Sequence, residues 1–131
     1  MTADLFTTGV ANLQQGFNQS ITTTSAVYAM SIYVKPNGHN YIQFNCSGAI
    51  SLGYVNFDLS NGTVGTQSLW TGTIETLPNG WYRLKVITNT ISATTALVSV
   101  FAVPASNSAS GVSFAGDGVS GFYMWGAQLE L

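Results

Sequence analysis

Along most of this chain, apolar and polar residues alternate with a period of two. That is the spacing of a pleated strand with one face in a core and the other in a different environment. In the segment 26–35, Tyr28, Met30, Ile32 and Val34 share one parity, and Val27, Ala29, Ser31, Tyr33 and Lys35 share the other. The segment 40–46 repeats the pattern, with Ile42, Phe44 and Cys46 opposite Tyr41, Gln43 and Asn45. Short strands are predicted at 53–59 and 63–68, and longer ones at 69–77, 81–89 and 94–103. In 81–89, Tyr82, Leu84 and Val86 oppose Trp81, Arg83 and Lys85. The last strand, 121–131, carries Tyr123, Trp125, Ala127, Leu129 and Leu131 on one side, where Trp125 is expected in the core. Phe122, Met124, Gln128 and Glu130 occupy the other side. Leu5, Phe6, Phe17 and Ile21 mark two weaker strands in the first 25 residues.

Turn chemistry separates these strands. Asn-Gly pairs stand at Asn37-Gly38, Asn61-Gly62 and Asn79-Gly80, and both residue types tolerate the positive φ that hairpin turns require. Pro36 and Pro78 precede two of the pairs and pre-set the first turn angle. The Ser-, Gly- and Ala-rich segment 104–120 reads as a long loop. No long segment repeats its apolar residues at helical spacing behind a cap. About eight to ten strands joined by antiparallel turns predict an all-β fold, and we read it as an antiparallel jelly-roll β-sandwich. Residues 1–131 form one module, expected to belong to a larger protein.

Composition narrows the setting. Hydrophobic residues make up 46%, enough for a core, whereas charged residues make up only 6%. Typical soluble domains carry about 25% charged residues. The polar surface must therefore be built from Ser, Thr, Asn, Gln and Gly, which favours an extracellular or virion protein. Few charges also leave strand edges poorly protected, so self-association or neighbouring virion domains are expected to cover them. The only basic residues are Lys35, Arg83 and Lys85, against a net charge of −2. Such a chain lacks the basic surface that phosphate neutralisation demands, so nucleic acid is not an expected partner. A membrane is not expected either, because there is no polybasic patch and no apolar run of about 20 residues.

Catalytic patterns are missing from the sequence. The single histidine, His39, falls in a turn and is expected to be solvated. Serines are plentiful but none sits in a nucleophile elbow. Asp4, Asp58, Glu75, Asp117 and Glu130 are scattered without the spacing of an acid/base pair. We therefore expect no enzyme activity and no cofactor. A structural calcium ion through Asp117 in Ala115-Gly116-Asp117-Gly118 is the one metal considered, and a plain turn aspartate is the simpler reading. The lone Cys46 reads as a small buried hydrophobe.

The informative set is aromatic and polar together. Tyr33 and Lys35, Tyr41 and Gln43, and Trp81 and Arg83 all fall on the non-core parity of their strands. Aromatic faces cover the apolar C–H faces of sugar rings, and Lys, Arg and Gln hydrogen-bond their hydroxyls. These six residues are the candidate ligand-binding set, with Gln128 or Glu130 able to join from the last strand. A structural alternative is that Trp81 caps the end of the core and Arg83 pairs with Glu130. Trp70 is open to two readings, a strand-end platform or a core lid.

Four motifs in order extend this picture. Ser31-Ile32-Tyr33-Val34-Lys35, Asn56-Phe57-Asp58-Leu59-Ser60-Asn61-Gly62-Thr63-Val64, Asn79-Gly80-Trp81-Tyr82-Arg83 and Trp125-Gly126-Ala127-Gln128-Leu129-Glu130 together resemble a recurrent module of bacteriophage tail and virion-surface proteins. Gly116-Asp117-Gly118, followed by Gly121, precedes the last motif at the matching place. Such modules are similar to the jelly-roll carbohydrate-binding modules attached to glycoside hydrolases. The resemblance implies a β-sandwich in a tail fibre or other virion-surface protein, with a glycan as partner; the alternative is a ligand-free assembly module. It also implies a strand upstream of Thr2-Ala3-Asp4, so the chain is expected to be an excised module.

Overall fold

Ten strands form among the described residues, close to where the alternation places them. The computed structural model describes residues 4–10, 15–22, 26–47, 53–89 and 95–130, without the side chains of 15, 17–22, 46, 47, 95–97 and 128–130. The strands are β1 (Asp4–Thr7), β2 (Gln15–Thr22), β3 (Ala29–Asn37), β4 (Tyr41–Ser47) and β5 (Tyr54–Asp58), then β6 (Thr63–Ser68), β7 (Thr71–Thr76), β8 (Tyr82–Ile87), β9 (Thr95–Ala102) and β10 (Gly121–Glu130). They build two five-stranded sheets. Sheet 1 has the order β1-β10-β3-β8-β7, and sheet 2 the order β2-β9-β4-β5-β6. Every strand pairing is antiparallel. The domain is an all-β sandwich.

The core lies between the sheets and uses the predicted parity on β3, β4 and β8, but the opposite parity on β10. Met30, Ile32 and Val34 of β3, Leu84 and Val86 of β8, and Phe122 of β10 meet Ile42 and Phe44 of β4, Val55 and Phe57 of β5, and Val100 and Ala102 of β9. Trp70 joins this core as a lid rather than standing out as a platform. It is 3% exposed, and its indole N–H donates to Asn89 Oδ1 at 3.0 Å, satisfying the one polar group a buried Trp carries.

Two hairpin loops follow their sequence signals. Asn79 (φ 64°) and Gly80 (φ 81°) both adopt left-handed backbone in the turn after Pro78, and Leu77 N–H donates to Trp81 O to close it. Asn61-Gly62 closes the β5–β6 hairpin with one left-handed residue, Gly62 at φ 68°. Asp58 anchors that turn by accepting from Ser60 N–H, Ser60 Oγ–H and Asn61 Nδ2–H.

The segment after β9 folds over the outer face of sheet 2. Gln43, Asn45 and Asn56 stand on that face and are buried beneath it. Asn56 Nδ2 donates to the carbonyls of Ser106 and Ser108, and Gln43 Nε2 donates to Ala109 O. Gly111 N–H returns a bond to Gln43 Oε1, and Asn45 Nδ2 donates to Ser110 Oγ. Within the set, Gln43 Nε2 donates to Asn56 Oδ1 and Asn45 Nδ2 to Gln43 Oε1. Thr66 N–H donates to Ser106 O, so the same segment also covers part of edge strand β6.

Candidate functional site

With β4 and β5 of sheet 2 covered, the outer face of sheet 1 is the broad strand surface left open among the described side chains. Register fixes which residues share it. Trp125 pairs with Tyr33, Tyr33 with Arg83, and Arg83 with Glu75, giving one row across β10, β3, β8 and β7. The next row toward the β3 N-terminus contains Ser31, Lys85 and Thr73. On the other side, Tyr123 pairs with Lys35. Because Ile32, Val34, Leu84 and Val86 are buried, their odd-numbered neighbours on β3 and β8 face outward.

The centre of this face is aromatic. The rings of Tyr33 and Trp125 stack at 4.2 Å between centroids and 7° between planes. Arg83, arriving from the other neighbouring strand, places its guanidinium 6.0 Å from the Tyr33 centroid. Each contact contributes about 0.5–1.5 kcal/mol. Trp81, half-buried at the mouth of β8, completes an open pocket of about 250 Å³ with Tyr33, Trp125, Leu77 and Pro78. The Pro78-Asn79-Gly80 turn thus positions both a wall of the pocket and the tryptophan that follows it. The Lys35 stem reaches over this turn, with Cε 3.5 Å from where a Cβ on Gly80 would stand. Arg83 Nε is buried in this setting without a hydrogen-bond partner.

Four of the six predicted residues, Tyr33, Lys35, Trp81 and Arg83, therefore share this face. Tyr41 and Gln43 do not, because β4 belongs to the opposite sheet. Gln43 is a correction: it is fully buried, and its amide is consumed in holding the covering segment. Tyr41 stands half-buried beside His39. His39 is itself more than a solvated turn residue. Its Nε2–H donates to Val103 O at 2.8 Å and its ring lies along Phe114.

Trp125 is the residue that strand parity misplaces. It faces outward, while Phe122 is fully buried and Met124 packs against the core. A β-bulge between Trp125 and Gln128 resets the register, so Leu129 pairs with Met30 and Gln128 with Ser31. Gly126 supplies the left-handed residue (φ 66°) that such a bulge needs. Alternation read straight through 121–131 thus grouped Trp125 with Leu129, although the two belong to different phases. An expected Arg83–Glu130 cross-strand pair is also corrected: β3 lies between their strands, and Glu130 pairs with Ala29 whereas Arg83 pairs with Tyr33. The side chains of Gln128, Glu130 and Cys46 lie outside the described residues, as do Thr2 and Ala3.

Asp117, the calcium candidate, holds a turn. Its carboxylate accepts from Val119 N–H, Ser120 N–H, Ser120 Oγ–H and Thr8 Oγ1–H. These bonds, chiefly those from Ser120, hold its carboxyl well below the usual carboxylate range. At Asp58, burial opposes ionisation, but the bonds from Ser60 and Asn61 outweigh it and lower that carboxyl too. Among the described residues, no group of three His, Cys, Asp or Glu side chains is placed to hold a metal ion. Nor is any helix among them long and apolar enough to cross a membrane.

No protein-family model matches the chain, and no curated protein matches it.

Proposed function

We propose that the protein is a non-catalytic carbohydrate-binding module, carried on a virion-surface or other extracellular protein, and that it engages a glycan on the outer face of sheet 1. The observation that carries this reading is the pocket of Tyr33, Trp81 and Trp125 beside Arg83 and Lys35, on the strand face that the chain leaves open. A sugar ring presents an apolar face edged by hydroxyls. Tryptophan surfaces take the first, and guanidinium and ammonium donors take the second. The pocket is small and shallow, which suits one or two rings of a longer chain rather than an enclosed small molecule.

The strand order supports a jelly-roll form of the sandwich. β1 pairs with β10 in sheet 1, β2 with β9 in sheet 2, and β3 with β8 in sheet 1, so the pairs nest and alternate between sheets. The β6–β7 connection then adds one strand to the edge of each. This agrees with the virion-module resemblance of the four sequence motifs.

Calorimetric titration against a panel of polysaccharides tests the reading. We expect saturable binding to at least one member, weakened about fivefold or more by Trp125→Ala, since loss of a stacking aromatic is worth roughly 1–3 kcal/mol. Failure to bind any member, or binding indifferent to Trp125→Ala in a folded variant, would refute it.

A further inference from the structure

All of the chain's positive charge stands on the face that carries the aromatic pocket. Its only basic residues are Lys35, Arg83 and Lys85. Tyr33 and Lys35 share the outward parity of β3, and Arg83 and Lys85 that of β8, where Lys85 is exposed. Three of the five acids lie elsewhere. Asp58 is in sheet 2 and Asp117 is in a loop, each holding its own turn. Asp4 pairs with Met124, on the core-side parity of β1. Two acids share this face by register: Glu75 at the β7 edge, opposite Arg83, and Glu130 at the end of β10, opposite Ala29. With three cations against two acids, this protein of net charge −2 carries a positive balance on the face where the Tyr33, Trp81 and Trp125 rings gather.

From this placement we infer that the ligand is an acidic polysaccharide, a glycan whose rings carry anionic substituents; the inference rests on the carbohydrate reading above. The division of labour follows from the geometry. Trp81 and Trp125 offer apolar surface to a ring. Arg83, pinned beside Tyr33, offers the terminal Nη donors of its planar guanidinium, which suit a carboxylate or an oxyanion ester. Lys85 lies about 7 Å from Arg83 along β8 by the rise of two strand residues, and Lys35 lies on the other side, about 8 Å away diagonally on β3. An extended acidic chain running along the strands meets these three cations in succession. A neutral glycan leaves them unused.

The test is a calorimetric comparison of polygalacturonate with its carboxyl-reduced form, with dextran sulfate and a poly(glycerol phosphate) as further anionic arms. The expected result is that at least one anionic polymer binds about tenfold or more tightly than the neutral one. That margin should shrink as ionic strength rises from about 0.05 to about 0.5 M, where exposed charges are screened. The double variant K35Q/K85Q, with both substitutions at solvent-accessible stems, should lose most of it. The three anionic arms show whether carboxylate, sulfate or phosphate supplies the charge. Equal binding of the neutral polymer, with no salt dependence, would overturn the acidic preference while leaving the carbohydrate reading standing. No binding to any polymer, charged or neutral, would overturn both.

Discussion

Single residues set the shape of the aromatic pocket, and Gly126 is the least replaceable of them. It sits at φ 66°, and a Cβ there would stand 3.1 Å from Tyr33 Cδ2. An alanine would therefore meet both backbone strain and the ring that Trp125 stacks upon. Gly126→Ala should lower stability by about 1–2 kcal/mol in urea denaturation, from the left-handed backbone alone. It should also alter the near-ultraviolet circular dichroism of the Tyr33–Trp125 pair. An unchanged spectrum and midpoint would mean that the bulge does not hold the pocket. Trp70 and Trp125 make a useful contrast at this scale. Both are large and apolar, yet one is sealed in the core with its indole bonded to Asn89, and the other stands on the outer face.

At the level of elements, the strands and their hairpins were legible because local rules settle them. Alternation selects a buried face for Met30, Ile32 and Val34 or for Leu84 and Val86, and Pro78-Asn79-Gly80 has the left-handed residues its turn demands. What local rules do not settle is what covers the other face. Gln43 and Tyr33 have the same sequence signature, a polar or aromatic residue on the non-core side of a strand. They part only because the segment after β9 returns over sheet 2 and not over sheet 1. The register shift in β10 was hidden for a related reason: a bulge needs one glycine, and Gly126 has no local mark to distinguish it from a glycine in ordinary strand. The covering segment gives a prediction of its own. Gln43→Ala would strand Asn56 Oδ1, Ala109 O and Gly111 N–H in a buried setting. It should cost about 2–3 kcal/mol in chemical denaturation, with amide exchange accelerating first around 106–111. A neutral effect would mean that the amide ladder does not hold the segment down.

For the molecule as a whole, asymmetry between two similar sheets is the central property. Both pack one face into a common core, but the outer face of sheet 2 is closed over β4 and β5 by the chain itself. Sheet 1 keeps its outer face open and gathers there two of the three tryptophans and all three cations. The proposal that this open face is the glycan-binding surface makes the tryptophans natural reporters. The most direct measurement is a nuclear magnetic resonance titration of the three indole N–H signals with the tightest-binding polysaccharide of the panel. The account predicts that the Trp81 and Trp125 indoles shift together and saturate, while the buried Trp70 indole stays in place. Saturable shifts confined to backbone amides of sheet 2 or of the 104–112 segment, with Trp81 and Trp125 unmoved, would contradict it.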